Sequence, residues 1–110
     1  MSDRGFLGEF EHIVMLALVR LAEGAYGVPV RQEIERRTGR EVSIGAVYAT
    51  LDRLEKKGLA ESFRGEPTPE RGGRSKRFFR VTAEGVKAVS RTHRALASMT
   101  EGLAIPGSRA

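Results

Sequence analysis

The chain has 110 residues, is 40% hydrophobic and 30% charged, contains no cysteine and carries a formal net charge of +5. That is one domain's worth of ordinary globular composition, and it excludes a disulfide framework, a thiolate metal site and a second sizeable core. No apolar run approaches the ~20 residues of a membrane span, and Asp3, Glu9 and Glu11 surround the first apolar stretch without a signal-peptide pattern, so the expected location is the cytoplasm.

Leu7, Phe10, Val14, Ala17, Leu18 and Leu21 recur at three- and four-residue steps and predict a first helix over 7–21. Ile13, Met15 and Leu16 widen its apolar face, so it needs cover on more than one side, from the domain and from a partner subunit. Glu23-Gly24 breaks the pattern. A second helix is expected over 28–38, with Pro29 in its first turn, Val30 and Ile34 as a narrow stripe and Gly39 as its C-terminal cap. Ser43 is a favoured N-cap and opens a third helix that ends at Gly58. Its buried stripe is Ile44, Val47, Leu51 and Leu54, and the opposite face carries Gly45, Ala46, Tyr48, Ala49, Thr50 and Arg53.

Two strands are expected over 59–64 and 76–82, with Phe79 and Val81 facing inward. The segment from Gly65 to Ser75 holds two prolines and a Gly-Gly pair, which cannot continue a ladder, so it is a loop within a long hairpin. A last helix starts near Thr82, which can cap it, and runs to about Thr100. Val86, Val89, His93, Leu96, Thr100 and Leu103 form a short, imperfect heptad seam on it.

The charge is localised. Residues 53–80 hold nine basic and four acidic side chains, and Arg71, Arg74, Lys76 and Arg77 fall within seven positions with no acid among them. This is the footprint of a polyanion partner. The element order predicts a mainly α fold with a small β-hairpin, a winged helix-turn-helix with an added C-terminal helix. Residues 1–82 are the expected DNA-binding domain with a wing at 65–76, residues 83–101 a dimerisation helix and residues 102–110 a flexible tail.

In such a unit the third helix enters the major groove, which is wide enough to admit it. The expected contacts to double-stranded DNA are Ser43, Ala46, Tyr48, Thr50 and Arg53 from the helix and Arg71, Arg74, Lys76 and Arg77 from the wing. Phe10, Val14, Val86, Val89, His93 and Leu96 are the expected homodimer contacts. The alternative reading is a winged helix that docks a protein, and a weaker one is an RNA-binding winged helix. His12, Met15 and Met99 read as packing residues, and Glu9, Glu11 and Glu33 as solvated acids. The chain has no P-loop, no zinc spacing and no nucleophile elbow, so neither enzyme activity, a cofactor nor a metal is expected.

Four segments together resemble the PadR family of bacterial transcriptional regulators, over Leu7 to about Val89. They are Leu7-Gly8-Glu9-Phe10-Glu11, Ala25-Tyr26-Gly27, the run from Gly45 to Leu59 and the run from Gly73 to Thr82. The resemblance implies a dimeric winged-helix repressor. It places Ser43, Tyr48, Thr50 and Arg53 on the recognition helix and Arg74, Lys76 and Arg77 on the wing. The single C-terminal helix with its short tail is similar to the family's short subgroup. Some relatives sense phenolic or drug-like molecules with aromatic side chains. This chain has no tryptophan, and an inducer is left unassigned.

Overall fold

The computed structural model describes residues 5–65 and 76–105. In chain order they form α1 (Glu9–Leu21), a 3-10 turn (Ala22–Gly24), α2 (Gly27–Thr38), α3 (Ile44–Lys56), β1 (Ala60–Arg64), β2 (Arg77–Val81) and α4 (Ala83–Thr100). This is the expected mainly helical winged helix-turn-helix with one antiparallel hairpin. The loop at 66–75, with Arg71 and Arg74, and the end of the tail at 106–110 lie outside the described residues.

Local chemistry sets the helix ends. The Ser43 hydroxyl accepts from the Ala46 N–H at 3.0 Å and opens α3. The Thr82 hydroxyl accepts from the Gly85 N–H at 3.0 Å and opens α4, while donating to the Gly58 carbonyl at 2.7 Å. At α1 a carboxylate does the capping: Glu11 accepts from the Gly8 N–H at 3.0 Å. Helix α2 starts one residue earlier than expected and keeps Pro29 in its first turn. It ends at Gly39, whose φ of 72° is the left-handed conformation that a residue with a Cβ adopts only at a cost.

The core lies between α1, α2, α3 and the hairpin. Phe79, Met15, Leu18, Ile34, Leu51, Leu54, Val14, Val30 and Val47 are fully buried there. Strand pairing runs from Ala60 opposite Val81 to Arg64 opposite Arg77. Phe79 faces the core, and Val81 packs against it from the margin. On the other face of the hairpin Phe63 and Phe78 stack with centroids 5.6 Å apart, and Tyr26 meets Phe78 edge-on at 5.2 Å. The Ala25-Tyr26 segment joins the sheet edge, with the Phe79 N–H donating to the Ala25 carbonyl at 2.8 Å. A one-bridge contact is too short to leave an alternation in sequence, so this third rung was not foreseen.

Two buried-face expectations need correction. Val14, expected at a subunit interface, is fully enclosed by the chain's own core. Ile44, expected inside, is 39% exposed, because the first turn of α3 projects past the body it packs on; Val42 packs against the core just before that turn.

Helix α4 meets the body through Gly85, Ala88 and Thr92, and the Leu7 N–H donates to the Thr92 hydroxyl at 2.9 Å. From Leu96 to Ile105 every residue is exposed. Among the described residues no helix is long and apolar enough to cross a membrane.

Candidate nucleic-acid interface

Successive residues of a helix are offset by about 100°. On α3 that offset brings Gly45, Ala46, Ala49, Asp52, Arg53 and Lys56 onto one outward stripe, and all six are exposed. The N-terminal half of the stripe is small enough for a groove floor, and its C-terminal half carries two cations and one acid. Ser43 is exposed at its start, its hydroxyl engaged as the cap.

The structure redistributes the other expected helix contacts. Thr50 is 3% exposed and so does not reach a groove, which corrects its reading as a base contact. Helix α3 is packed by α1, α2 and β1 together, so its buried arc is wider than the aliphatic stripe suggested. Tyr48 is half-buried and packs against the core, with its phenol over Gly27 at the first turn of α2. Lys56 was missed as a candidate, although its spacing of seven residues from Ala49 places it on the same stripe.

Carboxylates organise the cations around α3. Glu11, expected to be solvated, is 7% exposed. Its Oε2 accepts from Lys57 Nζ at 2.9 Å and from Arg53 Nε at 3.2 Å. The same Arg53 donates through Nη2 to the Thr50 hydroxyl at 3.3 Å. Arg77 reaches back from β2 to α3, with Nη2 2.6 Å from Glu55 and Nη1 3.1 Å from Asp52. Its guanidinium also stands 4.7 Å from the centre of the Phe79 ring. Arg77 therefore braces the base of the wing against α3, with its side chain still partly exposed. Ser62 donates to the second oxygen of Glu55 at 2.6 Å and completes the brace. Lys76 sits 5.4 Å from the centre of the Tyr26 ring. Glu33, the other acid expected in solvent, is buried between Arg36 and Arg37 on α2, whereas Glu9 is exposed and pairs with Arg40 at 3.1 Å.

These contacts shift protonation. Burial pushes the Glu11 carboxyl up, but the hydrogen bonds from Lys57, the Gly8 amide and Arg53 together outweigh it and hold the group below its ordinary range. Glu55 is lowered by the Ser62 hydroxyl first and by Arg77, against some burial. A carboxylate with a depressed folded-state pKa contributes stability above its unfolded value, and that contribution is lost as pH falls through the folded value. Thermal stability is therefore expected to lose both contributions as pH falls below about 4.5, glutamate's ordinary value. Melting curves from pH 7 to 3 check this: Glu11→Gln and Glu55→Gln should each flatten the acid limb, and an unaltered limb in both would show that neither carboxylate drives it.

On the expected dimer side, Phe10 is half-buried beneath the Arg40 guanidinium, 5.4 Å from its ring centre. Val86 is 56% and Leu96 60% exposed, His93 is exposed, and Val89 packs against the core. Burial, then the charge of nearby His93, hold His12 below the ordinary histidine range.

Comparison with known proteins places these features. The model of the transcriptional regulator PadR-like family matches residues 15–91. An uncharacterized protein of Lysinibacillus sphaericus is 35% identical over 74 residues, which are 66% of this chain and 64% of that one, so the match spans less than two thirds of that relative's length. Among solved structures, RosR of H. salinarum superposes with a TM-score of 0.67 at 28% identity, over 89% of this chain and 81% of that one. A transcriptional regulator from Clostridium thermocellum gives a TM-score of 0.67 at 25% identity, over 91% and 93% of the two chains. A PadR-like transcription factor from Bacteroides fragilis gives 0.73 at 21% identity, over 89% and 87%, a likeness of fold.

Proposed function

This chain belongs to the transcriptional regulator PadR-like family, and from that premise we propose that it is a homodimeric repressor that reads a roughly palindromic operator near its own or neighbouring genes. The outward stripe of α3 carries the proposal. Gly45, Ala46 and Ala49 let the helix approach base edges, and Ala46 offers a methyl for a thymine contact. Lys56 stands at the flanking phosphates, and Arg53 within reach of a phosphate or a base edge. Ser43 and Tyr48 border the stripe, with Tyr48 at its α2 margin. Arg71, Arg74 and Lys76 supply the wing, where cations follow the backbone or enter the minor groove. A regulator of this kind acts where its operator is, in the cytoplasm.

Residues 1–82 form the reading unit in this proposal, and 83–101 join two copies. The support is the seam of α4, where Val86 and Leu96 leave apolar side chains in solvent, with Met99 near the helix end and Leu103 just beyond it also exposed. A two-fold dimer sets its recognition helices about 34–36 Å apart, one turn of DNA.

Gel-shift titrations test the reading, with one duplex covering the promoter of the chain's own gene and one of shuffled sequence. Arg74→Ala with Lys76→Ala is expected to weaken binding to both alike and to reduce the salt slope by about 2, at about 0.9 per lost phosphate contact. An unchanged slope would remove the wing from the interface. Ala46→Glu places an acid at the groove floor and is expected to abolish preference for the promoter duplex.

A further inference from the structure

Arg53 on the outer side of α3 and Lys57 at its C-cap both end on a single carboxylate from another helix. Glu11 comes from the first turn of α1, is almost fully buried, and has both oxygens engaged. One oxygen takes the Gly8 amide; the other takes Lys57 and Arg53. The two cations are not enclosed, since their side chains are 39% and 53% exposed. Arg53 is fixed on a second side by the Thr50 hydroxyl, so the plane of its guanidinium is set by two bonds.

We propose that Glu11 is a positioning residue of the DNA interface: it holds Arg53 and Lys57 in one orientation for the operator and withholds their charge from phosphates elsewhere. The proposal rests on the reading of α3 as the DNA-contacting helix. The physical basis is competition. A guanidinium or ammonium already bonded to a carboxylate gains less from a phosphate in an arbitrary place than a loose one does. A preset planar guanidinium loses less freedom when the matching group arrives. Glu11 thus lowers indiscriminate binding and leaves matched binding largely intact. Its own seat is defined by the Gly8 amide, next to the Leu7 amide that bonds Thr92 of α4. The orientation of the α3 cations is thereby referred to the frame of α1 and α4 rather than to α3 alone.

The readout is opposite to that of a structural defect. Glu11→Gln removes the charge and keeps the shape. Affinity for the shuffled duplex should rise several-fold, and the salt slope should steepen by about 1 as a released cation takes a phosphate. The ratio of promoter to shuffled affinity should fall roughly tenfold, the scale of one good directional contact. A variant that merely loosened the fold would lose affinity for both duplexes instead. Arg53→Lys, at an exposed site that folding tolerates, keeps the charge but not the two-bond plane. It should lower the promoter preference by a similar factor. In the pair Glu11→Gln with Arg53→Ala, the loss of preference should be no greater than in Arg53→Ala alone. Unchanged salt slope and preference in Glu11→Gln, strictly additive effects in the pair, or full preference in Arg53→Lys would each overturn the role of Glu11. If the wild type shows no preference between the duplexes, the DNA reading falls and the proposal with it. If the wild type prefers the promoter and Ala46→Glu abolishes that preference, the reading stands whatever Glu11 does.

Discussion

Gly85→Ala is expected to lower stability by about 2–3 kcal/mol and the melting temperature by roughly 10 °C or more, the scale of overpacking in a domain of this size. Gly85 sits in the first turn of α4 where the helix crosses the hairpin. A methyl group there would press into the Leu59 carbonyl oxygen, well inside van der Waals contact, and stand 2.7 Å from Val81 Cγ1 and 2.8 Å from Met15 Cε. Alanine is the better helix former by about 1 kcal/mol, so the substitution would stabilise an isolated α4. It destabilises here because the nearest obstacle is backbone, which cannot rotate away. The whole helix must lift, which disturbs the Thr82 cap and the Leu7–Thr92 bond with it. Gly24→Ala is the control: nothing lies within 4 Å of that position, and its effect should stay within about 0.5 kcal/mol. Equal melting temperatures for the two variants would show that α4 slides on the body at little cost.

In the proposed homodimer, Leu96→Glu is expected to raise the dissociation constant by at least ~100-fold, about 2.7 kcal/mol, because each central seam residue counts twice across a two-fold axis. Leu96 is 60% exposed and lies beyond the last buried residue of α4, Thr92, so the subunit fold should survive the change. Sedimentation at several concentrations reads the dissociation constant directly. Promoter binding should fall in parallel, since a single reading unit contacts only half of the site. Lys87→Ala, exposed on α4 off the seam, should leave both measurements unchanged. A Leu96→Glu protein that remains dimeric would move the interface to the exposed Leu16 and Val19 of α1.

The contrast between these two sites describes how far sequence reading reached. Leu96 was legible because a seam of three- and four-residue steps is a property of the chain's own period, and a helix has only one period. Gly85 carries no signal in sequence, because its importance comes chiefly from the Leu59 carbonyl and Met15, which are distant along the chain. Ser43, Gly39 and Thr82 were read correctly as caps, since a cap bonds an amide or sets a φ within three residues. Thr50 was misplaced for the complementary reason. Its polarity suggested the groove, whereas α1, α2 and β1 jointly determine how wide an arc of α3 is covered.

The acids show the same division. Glu11 and Glu33 look alike in sequence, as charged positions on amphipathic helices. Glu33 finds Arg36 and Arg37 at helical spacing, a local match that composition already contained. Glu11 finds Arg53 and Lys57, 42 and 46 residues away, and only the packing of α1 on α3 brings them together. By itself the sequence determined the element order, the caps at Gly39, Ser43 and Thr82, the winged helix-turn-helix class and the concentration of positive charge in one quarter of the chain. These follow from periodicity, capping and Coulomb charge, which act over a few residues or simply add. The tertiary structure decided which cations are held and by what: Arg53 and Lys57 by Glu11, and Arg77 by Glu55 and Asp52. Hydrogen bonds reach only about 3 Å, so their partners are known only once the chain has brought distant residues together.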